Sequence, residues 1–158
     1  MKPFVLLGVV ALGLGGCNKH PTDAALQSAF QSNYLAFSNI VEDLRLSPDR
    51  TQIVWNGTTF FFDDTLTNQG MLSTRLLPHF KAIGQPLFVF VTQGRSGPNV
   101  FFQFSHRGIA ISGSGKGIIY MGADPTRIVP DTDASSYTNA PYTVFRPLDK
   151  NWFIYYTR

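Results

Sequence analysis

The chain has 158 residues, 44% hydrophobic and 14% aromatic, and a formal charge of +3 from 13 basic and 10 acidic side chains. That length suits one domain with a core of its own. Charged residues make up only 15%, against about a quarter in ordinary globular proteins, and the Lys and Arg residues stand singly. There is thus no basic footprint for nucleic acid, and a surface so poor in charge suits an extracytoplasmic protein or one that meets a partner.

Met1-Lys2-Pro3 is a short positive start, followed by an uncharged apolar run from Phe4 to Leu14. The run is too short for a bilayer span, which takes roughly 20 residues, but it matches the core of a signal peptide. Cys17 is the single cysteine, so no disulfide forms within the chain and the thiol is free for another use. Leu14-Gly15-Gly16-Cys17 resembles the lipobox of bacterial lipoproteins. The resemblance implies that residues 1–16 are removed as a signal peptide. Cys17 then carries diacylglycerol and an acylated amine (palmitate as the typical chain), and residues 17–21 form a short tether to a single domain over 22–158. Each buried CH₂ adds roughly 0.8 kcal/mol, so several chains anchor stably. Asn18, where inner-membrane lipoproteins tend to carry Asp, implies the outer membrane, facing the periplasm.

Thr22 is placed to N-cap a helix with Asp23 in its first turn. Leu26, Phe30, Phe37, Val41 and Leu44, with Asn33 or Tyr34 filling the gap, predict one amphipathic helix ending before Ser47-Pro48. Gln52–Trp55 and Thr58–Phe62 flank Asn56-Gly57, a two-residue hairpin signal. Leu72, Leu76, Phe80 and Ile83 predict a second, short helix, broken or kinked at Pro78 and stopped by Gly84. Leu87–Val91 is continuously apolar, as for a strand covered on both faces. Val100, Phe102, Phe104 and His106 then alternate with Phe101, Gln103 and Ser105 along the next strand.

Two more strands, Ile109–Ser112 and Gly117–Met121, are expected on either side of a turn at Gly113–Lys116, with Lys116 exposed near its tip. Ala123–Pro141 reads as a long surface loop of the kind that often carries contacts. Tyr142–Arg146 and Trp152–Thr157 read as a closing hairpin across Leu148–Asn151. The sum is an α+β domain: an N-terminal amphipathic helix and a short second helix packed on a mainly antiparallel, twisted sheet.

The chemical motifs are incomplete. Gly113-Ser114-Gly115-Lys116-Gly117 lacks the spacing of a phosphate loop and is followed by strand rather than helix pattern. Ser112 or Ser114 with His106 would be a serine-hydrolase pair, but no nucleophile elbow surrounds either serine. His20, His79 and His106 lie far apart, and Asp131-x-Asp133-x-Ser135 has Ser136 and Tyr142 where a calcium loop needs Gly and Glu. No catalytic residue, metal ligand or cofactor is therefore expected. Tyr137, Tyr142 and Tyr156 offer an aromatic wall for a sugar or peptide.

The run Gly108 to Tyr120, with Trp152-Phe153-Ile154-Tyr155-Tyr156, is similar to small uncharacterised proteobacterial proteins that share a Ser-Gly-Ser-x-Lys-Gly-x-x-Tyr core and an aromatic last strand. That resemblance brings no activity with it. Ser112-Gly113 and Ser114-Gly115 with Tyr120 also resemble the Ser-Gly motif of periplasmic lipoprotein inhibitors of lysozyme, although the chain has no disulfide. The expectation is a membrane-anchored, non-enzymatic module binding an envelope protein or cell-wall component through Ser112, Ser114, Lys116 and Tyr120. An inhibitor of a cell-wall hydrolase and a small serine hydrolase are the alternatives.

Overall fold

A computed structural model describes residues 19–47, 51–55, 60–62, 69–84, 86–94, 96–107, 113–134 and 142–158. The signal peptide, Cys17, the Asn56-Gly57 turn, the expected strand Ile109–Ser112 and Tyr137 lie outside them. Among the described residues, three helices pack on a seven-stranded antiparallel sheet, the expected α+β class. No helix among them is long and apolar enough to cross a membrane.

The N-terminal helical segment is two helices, α1 (Asp23–Ser32) and α2 (Tyr34–Leu44), where the periodicity predicts one. Thr22 caps α1 as expected, its hydroxyl accepting from the Ala25 N–H at 3.2 Å. The break is at Asn33 (φ −131°, ψ 24°), whose side-chain amide donates to the Ala29 carbonyl at 3.0 Å. A short amide that bonds the preceding turn competes with the helical ladder. Leu26 and Phe30 are buried on α1, and Phe37, Ile40, Val41 and Leu44 on α2. After β1 (Gln52–Trp55) and β2 (Phe60–Phe62), α3 (Gln69–Ala82) continues through Pro78 as one helix. Burial of Leu76, Phe80 and Ile83 outweighs the hydrogen bond that Pro78 cannot make, and Gly84, at φ 84°, follows as expected.

The remaining strands are β3 (Phe88–Gly94), β4 (Gly97–Arg107), β5 (Ser114–Tyr120), β6 (Val144–Asp149) and β7 (Trp152–Thr157), in the sheet order β2-β1-β3-β4-β5-β7-β6. β1 and β2 pair antiparallel, with Trp55 opposite Phe60. Ile128 bridges Phe145 in parallel, so part of the long loop runs along the β6 edge.

All three helices lie on one face of the sheet. Their buried side chains meet Ile53, Val89, Val91, Val100, Phe102, Ile118, Trp152 and Ile154 in the main core. On the opposite face Ile119, Phe153 and Tyr155 cluster with Phe101, Met121 and Phe145, and no helix contributes. In β3, Val89 and Val91 are fully buried while Phe88 and Phe90 are half-buried. That corrects the expectation of a strand covered on both faces.

Candidate functional site

Lys116 is strand rather than turn, and it is 1% exposed. Within β5 it shares a face with Ile118 and Tyr120, so the two-residue period carries it under the helices. Its ammonium pairs with Asp23 of α1 at 2.7 Å and with Asp133 of the long loop. Asp23 also accepts from the Thr132 backbone N–H at 2.8 Å and from the Thr132 hydroxyl. Its own N–H, an orphan donor at the start of α1, reaches the Asp133 carboxylate at 2.8 Å. Arg146 of β6 lies 3.7 Å from Asp23 and donates to Gln27 at 3.0 Å. Burial pushes the Asp23 carboxyl up, but the Lys116 and Thr132 hydrogen bonds and the Lys116 charge prevail and hold it below the ordinary value.

The expected exposed lysine is thus corrected to a buried ion cluster that ties α1, β5, β6 and the loop together. Asp23, Asp131 and Asp133 also have the spacing of a cation site, with carboxylate oxygens within 4.8 Å of one another. The Lys116 ammonium already supplies positive charge to two of the three.

Ser114 sits beside this cluster, and its hydroxyl meets His20 Nε2 at 2.8 Å, while His20 Nδ1 meets the Ser105 hydroxyl at 2.6 Å. The ring stands edge-on to Tyr156 at 5.5 Å. Burial first, then the charges of Arg107, Lys116 and His106, lower its pKa to about 4. The imidazole is therefore neutral at pH 7, one nitrogen donating and the other accepting. Ser105 is on this face because of a β-bulge between Gln103 and Ser105, where Phe104 is the extra residue opposite Gly117 and Lys116. Simple alternation would send Ser105 to the opposite face.

Of the hydrolase pairs drawn from the sequence, the geometry bears only on Ser114 with His106, because Ser112 lies outside the described residues. Ser114 bonds His20 rather than His106, which is exposed. The second nitrogen of His20 meets a hydroxyl rather than the carboxylate that would stabilise an imidazolium. The hydrolase-inhibitor alternative needs Ser114 and Lys116 to reach a target's carboxylates, and both side chains are engaged inside the domain. Tyr120 packs against Trp152 at 5.2 Å as core, and Tyr156 is buried. Tyr142 lies under the Arg127 guanidinium at 4.4 Å.

The face that no described helix covers, called the uncovered face below, is organised differently. Phe61, Val54, Phe88, Gln103, Gly117, Tyr155 and Phe145 stand opposite one another in a row across all seven strands. At the β2 end of the row Phe61 is 55% exposed. Gly117 has no side chain there, and a Cβ on it would run into the Phe102 carbonyl oxygen. Between the rings of β3 and β4 and the C-terminal end of β7 lies an open cleft of about 130 Å³, lined by Phe88, Phe90, Phe101, Gln103, Thr143, Tyr155 and Thr157.

Comparison of the chain with protein-family models, with curated proteins and with solved structures finds no match. What the molecule does therefore has to be read from these two faces. The Lys116 cluster was legible in part, because the period shared with Ile118 and Tyr120 points Lys116 inward. Its partners Asp23 and Asp133 are 110 residues apart in sequence, and no local pattern joins them.

Proposed function

We propose that the protein is a lipid-anchored, periplasm-facing envelope protein that acts by binding, through the uncovered face of its sheet, rather than by catalysis. The observation that carries the reading is the apolar and aromatic row from Phe61 to Phe145 on a face to which none of the described helices contributes. The row is open at its β2 end, where Phe61 is 55% and Val54 36% exposed, while Tyr155 and Gln103 are buried. Exposed apolar area next to a cleft marks an interaction site. Among the described residues, Ser114 and His20 bond other hydroxyl and ring groups rather than a carboxylate, which suits a structural role for both.

The anchor rests on Leu14-Gly15-Gly16-Cys17. His20 supports it geometrically, being bonded to Ser105 and Ser114 near the ends of β4 and β5. Two residues, Asn18 and Lys19, separate Cys17 from His20, a reach of about 10 Å over three Cα steps. An acylated Cys17 would therefore hold this end of the sheet at the bilayer interface and leave the uncovered face at its side.

The test expresses the full chain in a Gram-negative host fed an alkynyl palmitate, with envelope proteins captured by cross-linking. Label should enter the wild type and be lost in Cys17→Ala. Capture of an envelope component should fall at least several-fold in Phe61→Ser and Phe90→Ser. Unlabelled wild type sinks the anchor, and unchanged capture by both face variants sinks the binding surface.

A further inference from the structure

Gln103 is the one buried side chain whose hydrogen-bonding atoms are left incomplete among the described residues. It is 7% exposed, its Oε1 accepts from the Tyr155 hydroxyl at 3.3 Å, and its Nε2 has no partner. A buried amide nitrogen without a partner is costly, because its lost hydration is not replaced, and such groups number only a few per hundred residues. An apolar side chain of the same length would avoid that cost. Burial pushes the Tyr155 phenol above its ordinary value, so it remains a donor and holds the oxygen end of the amide.

Gln103 is also part of the cleft wall. Its last torsion is broad and soft, so a small rotation turns the nitrogen toward a guest. The other walls are the rings of Phe88, Phe90, Phe101 and Tyr155, and the hydroxyls of Thr143 and Thr157 bond each other at 2.9 Å. No charged residue lines the cleft. Its volume of about 130 Å³ is close to that of a cavity of about 150 Å³ known to hold benzene. Space, polarity and charge converge on one chemistry. We infer that the cleft binds a small neutral molecule, about one aromatic ring in size, whose carbonyl oxygen accepts from Gln103 Nε2. The inference rests on the uncovered face being the binding surface, and it assigns that face a ligand class.

The test uses ¹⁹F NMR on the full chain held in lipid nanodiscs, with empty discs as the blank. 4-Fluorobenzamide carries the ring and the carbonyl, and 4-fluorotoluene carries the ring alone. Both should show saturable broadening, and Phe90→Ala should weaken both. Gln103→Leu should weaken the benzamide about five- to tenfold, the size of one neutral hydrogen bond, and leave the toluene within about twofold. A melting curve shows whether Gln103→Leu is folded, and Gln103→Asn, which shortens the amide, should give the same selective loss in a second background. Absence of saturable broadening overturns the proposal, as does an equal response of the two probes to Gln103→Leu. The cross-linking experiment reads the whole face through Phe61. Retained capture beside absent probe binding therefore removes the ligand class and leaves the binding surface standing.

Discussion

Lys116 and Gln103 stand on neighbouring strands, one register position apart, and both are buried, yet they are served in opposite ways. Lys116 faces the helices and meets two carboxylates, Asp23 and Asp133. Gln103 faces away from them and has one partner for the two ends of its amide. Taking a charge out of water costs several kcal/mol, so a buried ammonium is retained only with its counter-charges in place. A neutral amide is cheap enough to leave half-satisfied where something else can complete it. The difference separates a group that holds the fold together from one poised toward an external guest.

The largest effect expected from breaking this comparison is at Lys116. Lys116→Met leaves Asp23, 6% exposed, facing Asp133 with only the more distant Arg146, at 3.7 Å, as a cation, and should lose about 3 kcal/mol in urea unfolding. Adding Asp23→Asn should recover part of that loss, because the repulsion it relieves exists only once the lysine is gone. If the double variant lost as much as the two singles added together, the cluster would not be coupled.

Gly117 comes next, since it stands opposite Gln103 and next to Lys116 in the chain. A Cβ there would meet the Phe102 carbonyl oxygen and the Gln103 Cα, and both are backbone. Gly117→Ala should therefore cost about 2–3 kcal/mol, whereas Gly70→Ala, where a Cβ meets nothing within 4 Å, should be neutral or slightly stabilising. Equal melting temperatures for the two variants would show that β4 and β5 can part at the bulge.

Those pairs of residues also show where sequence reasoning stops. The strands, the capped first helix and the α+β class follow from local periodicity, because each is decided within a few residues. The split at Asn33, the bulge at Phe104 and the cluster of Asp23, Lys116 and Asp133 do not. Asn33 is decided by a competing side-chain hydrogen bond, and the bulge by how β4 registers against β5. The two carboxylates reach Lys116 only after the chain has closed between α1 and the long loop. Glycine around Lys116 favours a turn locally, but the pairing of β5 with both β4 and β7 overrides it. Gln103 read only as one of three residues on a strand face, since nothing local marks an amide whose partner is missing.

The pH dependence sharpens the helix-covered side alone. His20 has a folded pKa near 4 against an ordinary 6.5, so between those values the unfolded chain binds a proton that the folded chain refuses. Stability should be flat above pH 6.5 and fall as pH drops toward 4, by on the order of 1–2 kcal/mol for a part-exposed ring. Asp23 has the opposite protonation chemistry and the same sign of effect. Its depressed pKa stabilises the fold above its ordinary 3.8, and that contribution is lost only as pH falls further. Melting curves of His20→Gln should lose the upper limb and keep the lower one. A variant that kept both limbs would assign the upper one to another group.

The smallest effect belongs to Gln103. Gln103→Leu removes an unpartnered Nε2 but strands the Tyr155 hydroxyl that its Oε1 accepts from. Two buried polar atoms go and one loses its partner, so the stability change should stay within about 1 kcal/mol of zero. Tyr155→Phe alone should be worse than Gln103→Leu alone, because it leaves both ends of the amide empty. The double variant should match or exceed the wild type, since it leaves no buried polar group on that stretch of the face. A loss of more than about 2 kcal/mol in Gln103→Leu would mean that Nε2 is already satisfied within the fold. Gln103 would then be a second structural polar group like Lys116, and the cleft would have no donor to offer.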